Sequence, residues 1–270
     1  MWLNILSNVK INKLANSSPK RPRDKCRADV ALVEKKLVIN RTRAAALIMA
    51  GKVYSKQKRI NKAGELISLS QELEIREPDH PWVGRGGIKL AFGLEYFGFS
   101  TKSQTCIDLG ASTGGFTDVL LHHGAKKIFS VDVGYGQIAQ KLRNNPRVVV
   151  MERTNGRYLN RDLIADPIGG IVCDASFIGL KTILEASLKL ADHSCWLIAL
   201  IKPQFEVGPK NVGRRGVVRN EEERSRVCEE IHYWLSEKPR WQVNGIVESP
   251  ITGANGNIEY LIGAQHKYLK

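Results

Sequence analysis

The 270-residue chain predicts an α/β protein in two parts, a small α+β domain followed by a doubly wound domain on a mostly parallel seven-stranded sheet. Three observations carry this expectation. Strand-like and helix-like segments alternate from residue 105 to residue 264, the rhythm of a parallel sheet covered by helices on both faces. Pro78 and Pro81 interrupt any regular element between residues 77 and 83, which marks a linker. Charge is also uneven across that linker: residues 1–79 hold 17 Lys and Arg against 8 Asp and Glu, and the remainder holds 24 against 19, within a net charge of +14. The boundaries that follow are a basic, flexible leader at 1–25, a small domain at 26–76, the linker at 77–83 and a large domain at 84–270.

Composition narrows the classes. Hydrophobic residues at 43% and charged residues at 25% suit a globular protein, and the longest apolar run, residues 195–201, is far short of the ~20 residues a membrane span needs. The leader lacks the continuous apolar stretch and small-residue cleavage site of a secretory signal. Five cysteines, at 26, 106, 173, 195 and 228, are odd in number and widely spaced, with three inside apolar runs. This usage fits reduced, buried thiols in a cytoplasmic protein without a metal site. The basic excess favours a polyanionic partner.

In the small domain, residues 28–34 read as a helix and 42–50 as a second, capped by Asn40 or Thr42 and ended by Gly51. Residues 52–55, 62–64 and 74–75 alternate as short strands separated by turns. Between Arg41 and Lys62 stand seven basic residues and no acidic one. Arg41, Arg43, Lys52, Lys56, Lys58 and Arg59 are therefore candidates for contact with a phosphate backbone. Arg41, Arg43, the turn Ala50-Gly51 and Lys52-Val53 match the pattern R-x-x-A-x-x-x-I-x-x-G-x-V, and residues 26–76 resemble the S4 RNA-binding domain. That resemblance implies a ligand, RNA, and no reaction.

In the large domain, strands are expected at 105–109, 127–133, 148–151, 168–173 and 195–201, with a final pair at 242–248 and 258–264. Helices are expected at 116–122, 138–143, 180–190 and 221–236. The segment Asp108-Leu109-Gly110-Ala111-Ser112-Thr113-Gly114-Gly115-Phe116-Thr117 joins a strand to a helix. Its small residues let the backbone approach a ligand, and the helix N-terminus offers free amides. Asp132, 22 residues after Gly110 and at the end of the next strand, suits a ribose diol. Gly134-Tyr135-Gly136-Gln137-Ile138-Ala139 fits the dinucleotide pattern G-x-G-x-x-A, with Glu152 18 residues later, and alone suggests NAD. The two frames overlap, and the first accounts for both, since Gly134 and Gly136 then only turn the chain beside the ribose. Asp108 and the glycines suit a cationic sulfonium, with no pyrophosphate to nest. The expected cofactor contacts are Asp108, Gly110, Ser112, Gly114, Gly115, Phe116, Thr117, Asp132 and Asp174.

Four charged residues fall where a doubly wound sheet gathers its site: Lys89 after Gly84-Arg85-Gly86-Gly87, Asp174 and Lys202 ending strands, and Glu259 in Ile258-Glu259-Tyr260. One polar residue at a strand end is often merely leaving the core; four in this order are harder to dismiss. The large domain resembles the FtsJ class of 2'-O-methyltransferases, a Rossmann-like fold whose Lys-Asp-Lys-Glu tetrad these residues match. With an S4-like domain ahead of it, and the runs Gly-Arg-Gly-Gly-Ile-Lys-Leu, Asp-Ala-Ser-Phe and Lys-Pro-Gln-Phe-Glu, nearly the whole chain is similar to the TlyA (hemolysin A) family. The resemblance implies S-adenosyl-L-methionine as cofactor and cytidine ribose hydroxyls of ribosomal RNA, naked or in ribosomal subunits, as target. Lys202, beside Lys89, is then either base or electrostatic stabiliser, with Asp174 and Glu259 orienting the lysines and the ribose. Arg85 and a second basic loop, residues 210–219 with Arg214 and Arg215, are further candidates for RNA contact. Asn220 and Glu223 form a capping box after that loop. Two other classes compete: a membrane-active haemolysin, and an RNA-binding scaffold with an inactive methyltransferase fold.

Overall fold

The structure is a computed structural model that describes residues 25–76 and 80–267; the side chains of Lys210 and Arg214 also lie outside the description. The expected leader falls outside these residues except for Lys25, which begins a strand. The chain divides into two compact units, 1–78 and 79–270.

The N-terminal unit runs β1 (Lys25–Arg27), α1 (Ala28–Glu34), α2 (Arg41–Met49), β2 (Val53–Ser55), β3 (Lys58–Arg59), β4 (Leu66–Ser68) and β5 (Glu74–Ile75). Strand β1 pairs antiparallel with β4, and β2 lies between β3 and β5. Residues 62–64, expected as a strand, are a loop and turn. There the chain turns back so that the amides of Ala28 and Asp29 donate to the carbonyls of Glu65 and Ala63. Asn40 supplies the cap of α2, accepting the Arg43 amide at 2.8 Å. Gly51 follows α2 at φ +71°, and the Arg59 guanidinium lies against its bare Cα, where a Cβ would stand 2.2 Å from Arg59 Nη2. Leu32, Ile48, Val53 and Ile60 anchor the core. Asp29, buried among them, pairs with Arg27 and Arg41 at 3.0 Å each. Hydrogen bonding from Arg27, with Arg41 assisting, holds its carboxyl down at about 2 against the effect of burial.

The second unit runs α3 (Gly86–Phe97), β6 (Thr105–Leu109), α4 (Gly115–His122), β7 (Lys127–Val131), α5 (Gln140–Arg143), β8 (Val148–Met151), β9 (Ile168–Cys173), α6 (Leu180–Leu188), β10 (Ala191–Ile201), α7 (Glu221–Ser236), β11 (Trp241–Glu248) and β12 (Tyr260–His266). The seven-stranded sheet has the order β11-β12-β10-β9-β6-β7-β8, and β12 is antiparallel to both of its neighbours while the other adjacent pairs are parallel. Alternate residues of β10 feed opposite faces: Leu197, Ala199 and Ile201 join one core with α6 and α7, and Trp196, Ile198 and Leu200 join the other with α3 and α4. Helices thus cover both faces, which is why these strands read as unbroken apolar runs. Linker residues Trp82 and Val83 belong to this unit: the Trp82 ring meets the His122 ring edge-on at 5.2 Å, and the Val83 amide donates to Asp118 at 2.9 Å.

Candidate active site

Parallel order brings the carboxyl ends of β6, β9 and β10 side by side, and the antiparallel β12 delivers its N-terminal end to the same edge. Asp174 follows β9, Lys202 follows β10 and Glu259 precedes β12, while α3 carries Lys89. All four line one cavity of about 380 Å³. Residues 28 to 170 positions apart in sequence therefore line one cavity, as the sequence pattern expects.

The tetrad resolves into two ion pairs. Lys89 Nζ lies 2.5 Å from Glu259 Oε2, with side chains 8% and 3% exposed. The other Glu259 oxygen accepts an N–H from Gln204 at 3.1 Å, so this carboxylate is fully engaged. Lys202 Nζ lies 2.5 Å from Asp174 Oδ1 without the angle of a hydrogen bond, and donates instead to the Asp174 carbonyl and to Ser176 Oγ, each at 3.0 Å. The nearest partner of Lys202 is thus a carboxylate. Lys89, the second cation expected beside it, lines the same cavity and is paired with Glu259.

A second cavity of about 680 Å³ adjoins the first, sharing Gly110, Ser112, Asp174, Ser176 and Phe177. Its floor is Asp132, whose carboxylate accepts the amides of Ser112 and Gly134 at 2.7 Å each, and its apolar wall includes Val131, Ile178 and Ile183. The loop between the cavities needs glycine for space. A Cβ on Gly110, already at φ +79°, would sit 2.8 Å from the Ala175 backbone, and one on Gly115 would sit 3.0 Å from the Gly87 nitrogen.

Of the expected cofactor contacts, Gly110, Ser112, Gly115, Phe116, Asp132 and Asp174 line these cavities, whereas Asp108, Gly114 and Thr117 do not. Asp108, expected to face a sulfonium, is fully buried behind the loop and accepts the Thr117 hydroxyl at 2.6 Å. Burial pushes its carboxyl up to about 7, against the Thr117 hydrogen bond, with Asp174 and Asp132 adding to the rise. Gly114 turns away toward α5, where a Cβ would strike Leu142 at 2.2 Å. The Gly134 loop buttresses Asp132, and the Gly136 amide donates to Glu152, itself bound by Arg143.

Ser176, Phe177, Gln204 and Phe205, which the sequence offers only as members of the runs Asp-Ala-Ser-Phe and Lys-Pro-Gln-Phe-Glu with no role of their own, also line the tetrad cavity. Phe177 is 90% exposed at φ +64°, with its ring 5.1 Å from that of Phe205. A large aromatic three residues after a strand-end aspartate is the available signal. Among the basic candidates, Arg43, Lys56, Lys58 and Arg215 are exposed, Lys52 and Arg59 are half-buried, and Arg41 is tied to Asp29. Arg85 is exposed, donates to the Thr252 carbonyl at 3.2 Å and borders the tetrad cavity. Arg215 and Arg219 line a separate open depression of about 690 Å³ on the second basic loop. No helix of the described residues is long and apolar enough to cross a membrane.

The family model for FtsJ-like methyltransferases matches residues 82–266. The 16S/23S rRNA (cytidine-2'-O)-methyltransferase TlyA of Mycobacterium tuberculosis is 41% identical over 239 residues, covering 88% of this chain and 89% of that protein. Hemolysin A of Brachyspira hyodysenteriae is 37% identical over 223 residues, covering 82% and 92%. Among solved structures, a protein of Streptococcus thermophilus designated a hemolysin superposes with a TM-score of 0.69 at 38% identity, covering 90% of this chain and 89% of its own. On the extent of these matches, the chain belongs to the FtsJ-like methyltransferase family and is an enzyme of that class.

Proposed function

We propose that this enzyme methylates the 2'-hydroxyl of cytidine in ribosomal RNA, using S-adenosyl-L-methionine, in the cytoplasm. The observation that carries the proposal is the tetrad cavity adjoining the Asp132 cavity, with Asp174 in their common wall. The residues suit the methyl donor. Asp132 can receive a ribose diol, Val131, Ile178 and Ile183 a flat base, and the Gly110 turn a chain pressed against the backbone. Bound there, the donor supplies a methyl group on a cationic sulfonium, a charge that Asp174 and Asp132 favour.

The protein's part is alignment and proton handling. A ribose hydroxyl is a weak nucleophile at neutral pH and must be held in line and relieved of its proton. Lys202 and Asp174 face the cavity as one coupled unit: Lys202 Nζ stabilises negative charge growing on the oxygen, and the proton passes to the pair. Lys89 and Glu259 set the opposite wall. The N-terminal unit, with the element order of an S4 domain and exposed Arg43, Lys56 and Lys58, holds the RNA backbone in this reading.

Ribose-methylation mapping of ribosomal RNA, from cells with and without the gene, tests the proposal. A cytidine 2'-O-methyl group that disappears with the gene, and returns with the wild-type enzyme but not with Lys202→Ala, is the expected result. Near-normal turnover by Lys202→Ala, or methylation of a base, would overturn it. Calorimetric binding of S-adenosylhomocysteine distinguishes this reading from an inert scaffold.

A further inference from the structure

Among the described residues that line the tetrad cavity, Gln204 is the one with a neutral amide side chain, and its orientation is fixed by chemistry. Its contact at 3.1 Å is Glu259 Oε1, and a carboxylate accepts only, so the amide nitrogen must face it. Flipping the amide would set two acceptor oxygens against each other. With Lys89 holding the other oxygen of Glu259, that carboxylate cannot rotate away to accommodate a flipped amide. The Gln204 carbonyl oxygen therefore points elsewhere. It is buried, and nothing among the described residues donates to it. A buried acceptor without a donor is costly enough that most have a partner, and Gln204 is part of the tetrad cavity's lining.

The next residue supplies a second observation. Phe205 and Phe177 lie 5.1 Å apart at the same cavity, and Phe177 keeps its ring almost wholly in solvent from a backbone conformation a phenylalanine rarely adopts. Exposed aromatic faces of this kind accept an unstacked base. An aromatic wall beside a fixed acceptor describes a site that holds a base by its face and tests its edge for a donor.

We propose that Gln204 reads the target base, its carbonyl oxygen accepting the 4-amino group of cytosine. Uracil presents a carbonyl at that position and would face oxygen with oxygen. The inference rests on the reading of the chain as a cytidine 2'-O-methyltransferase, and it makes Gln204 a specificity residue of that reaction. Glu259 and Lys89 serve it by holding the amide in one orientation.

The test uses the full-length enzyme and ribosomal particles reconstituted with cytidine or uridine at the mapped target. For the wild type, kcat/KM on cytidine should exceed that on uridine by about 10–100-fold, the usual effect of one unmatched buried hydrogen bond. Gln204→Met, close in volume, should bring cytidine down to within about threefold of uridine while leaving S-adenosylhomocysteine affinity unchanged. Equal use of the two nucleotides by the wild type, as when a water satisfies the amide, would refute the inference. So would an equal fall on both substrates in Gln204→Met. No ribose methylation of either particle by the wild type would overturn the catalytic reading as well.

Discussion

Replacing Glu259 with leucine should destabilise the catalytic unit far more than replacing it together with its partner. The Lys89–Glu259 pair is almost wholly shielded, with side chains 8% and 3% exposed at 2.5 Å. Removing one member leaves a charge without water or counter-ion, which costs about 3–5 kcal/mol, whereas replacing both with apolar groups of similar size is often close to neutral. For a unit of this length, a loss of that size lowers Tm by about 10 °C. Glu259→Leu and Lys89→Met should each show a drop of that order in thermal unfolding, while the double variant recovers to within about 1 kcal/mol of wild type. All three should lose methyl transfer, because recovered packing does not restore the polar wall and the Gln204 contact that the pair holds. Strictly additive losses in the double variant would refute the argument, because they would mean that the two side chains do not interact.

Other predictions follow from neighbouring features. Asp108 carries a carboxyl at about 7 in the fold against an ordinary value near 3.8. The folded chain thus keeps a proton that the unfolded chain releases as pH rises from about 4 to 7, so stability falls across that window by up to ~4 kcal/mol, at ~1.4 kcal/mol per unit. Urea midpoints measured from pH 5 to 8 should slope downward in the wild type and flatten in Asp108→Asn; parallel slopes would exclude Asp108 as the cause. Phe177→Asn should relieve strain at φ +64°, raising stability by about 1 kcal/mol while lowering kcat/KM for RNA, and unchanged turnover would remove the ring from the site. If the Arg215 and Arg219 depression holds RNA phosphate, Arg215→Ala/Arg219→Ala should reduce the slope of log affinity against log salt by about 2, with no change in S-adenosylhomocysteine binding.

The parts legible in the sequence are those where burial leaves no choice. β6, β8 and β9 begin and end where their apolar runs do, and α7 runs from the residue after its Asn220 cap to Ser236. β10 starts four residues before its apolar run because Asp192, His193 and Ser194 extend it with polar side chains, two of them exposed. α3 escaped notice for the opposite reason. Its first turn opens on Gly86-Gly87 and reads as loop, and its apolar positions are too numerous to leave a polar stripe. The two- and three-residue strands of the N-terminal unit carry too little pattern to reveal a period. For the site, sequence located the four tetrad positions but not their partners. Pairing depends on which rotamers meet across the cavity, and neighbours such as Gln204 carry no charge to draw attention.

That pairing assigns unequal work to the two lysines. Glu259 has both oxygens engaged, by Lys89 and Gln204, so the first pair is a closed arrangement that holds a wall in place. Asp174 is 22% exposed, lines both cavities and meets Lys202 without a hydrogen-bond angle. Its carboxylate can answer a cation arriving from the Asp132 side, and Lys202, held by Ser176 and the Asp174 carbonyl, stays in place while it does so. A charge entering one cavity thereby alters the balance at a lysine in the other, through a single side chain and without movement of the sheet. Exchange of Asp174 for asparagine should separate the two effects: Lys202 keeps both of its hydrogen-bond acceptors, but the cavities lose their shared charge. The expected result is a loss in kcat much larger than any change in RNA affinity. A variant whose loss lay wholly in RNA affinity would show that Asp174 only braces the fold.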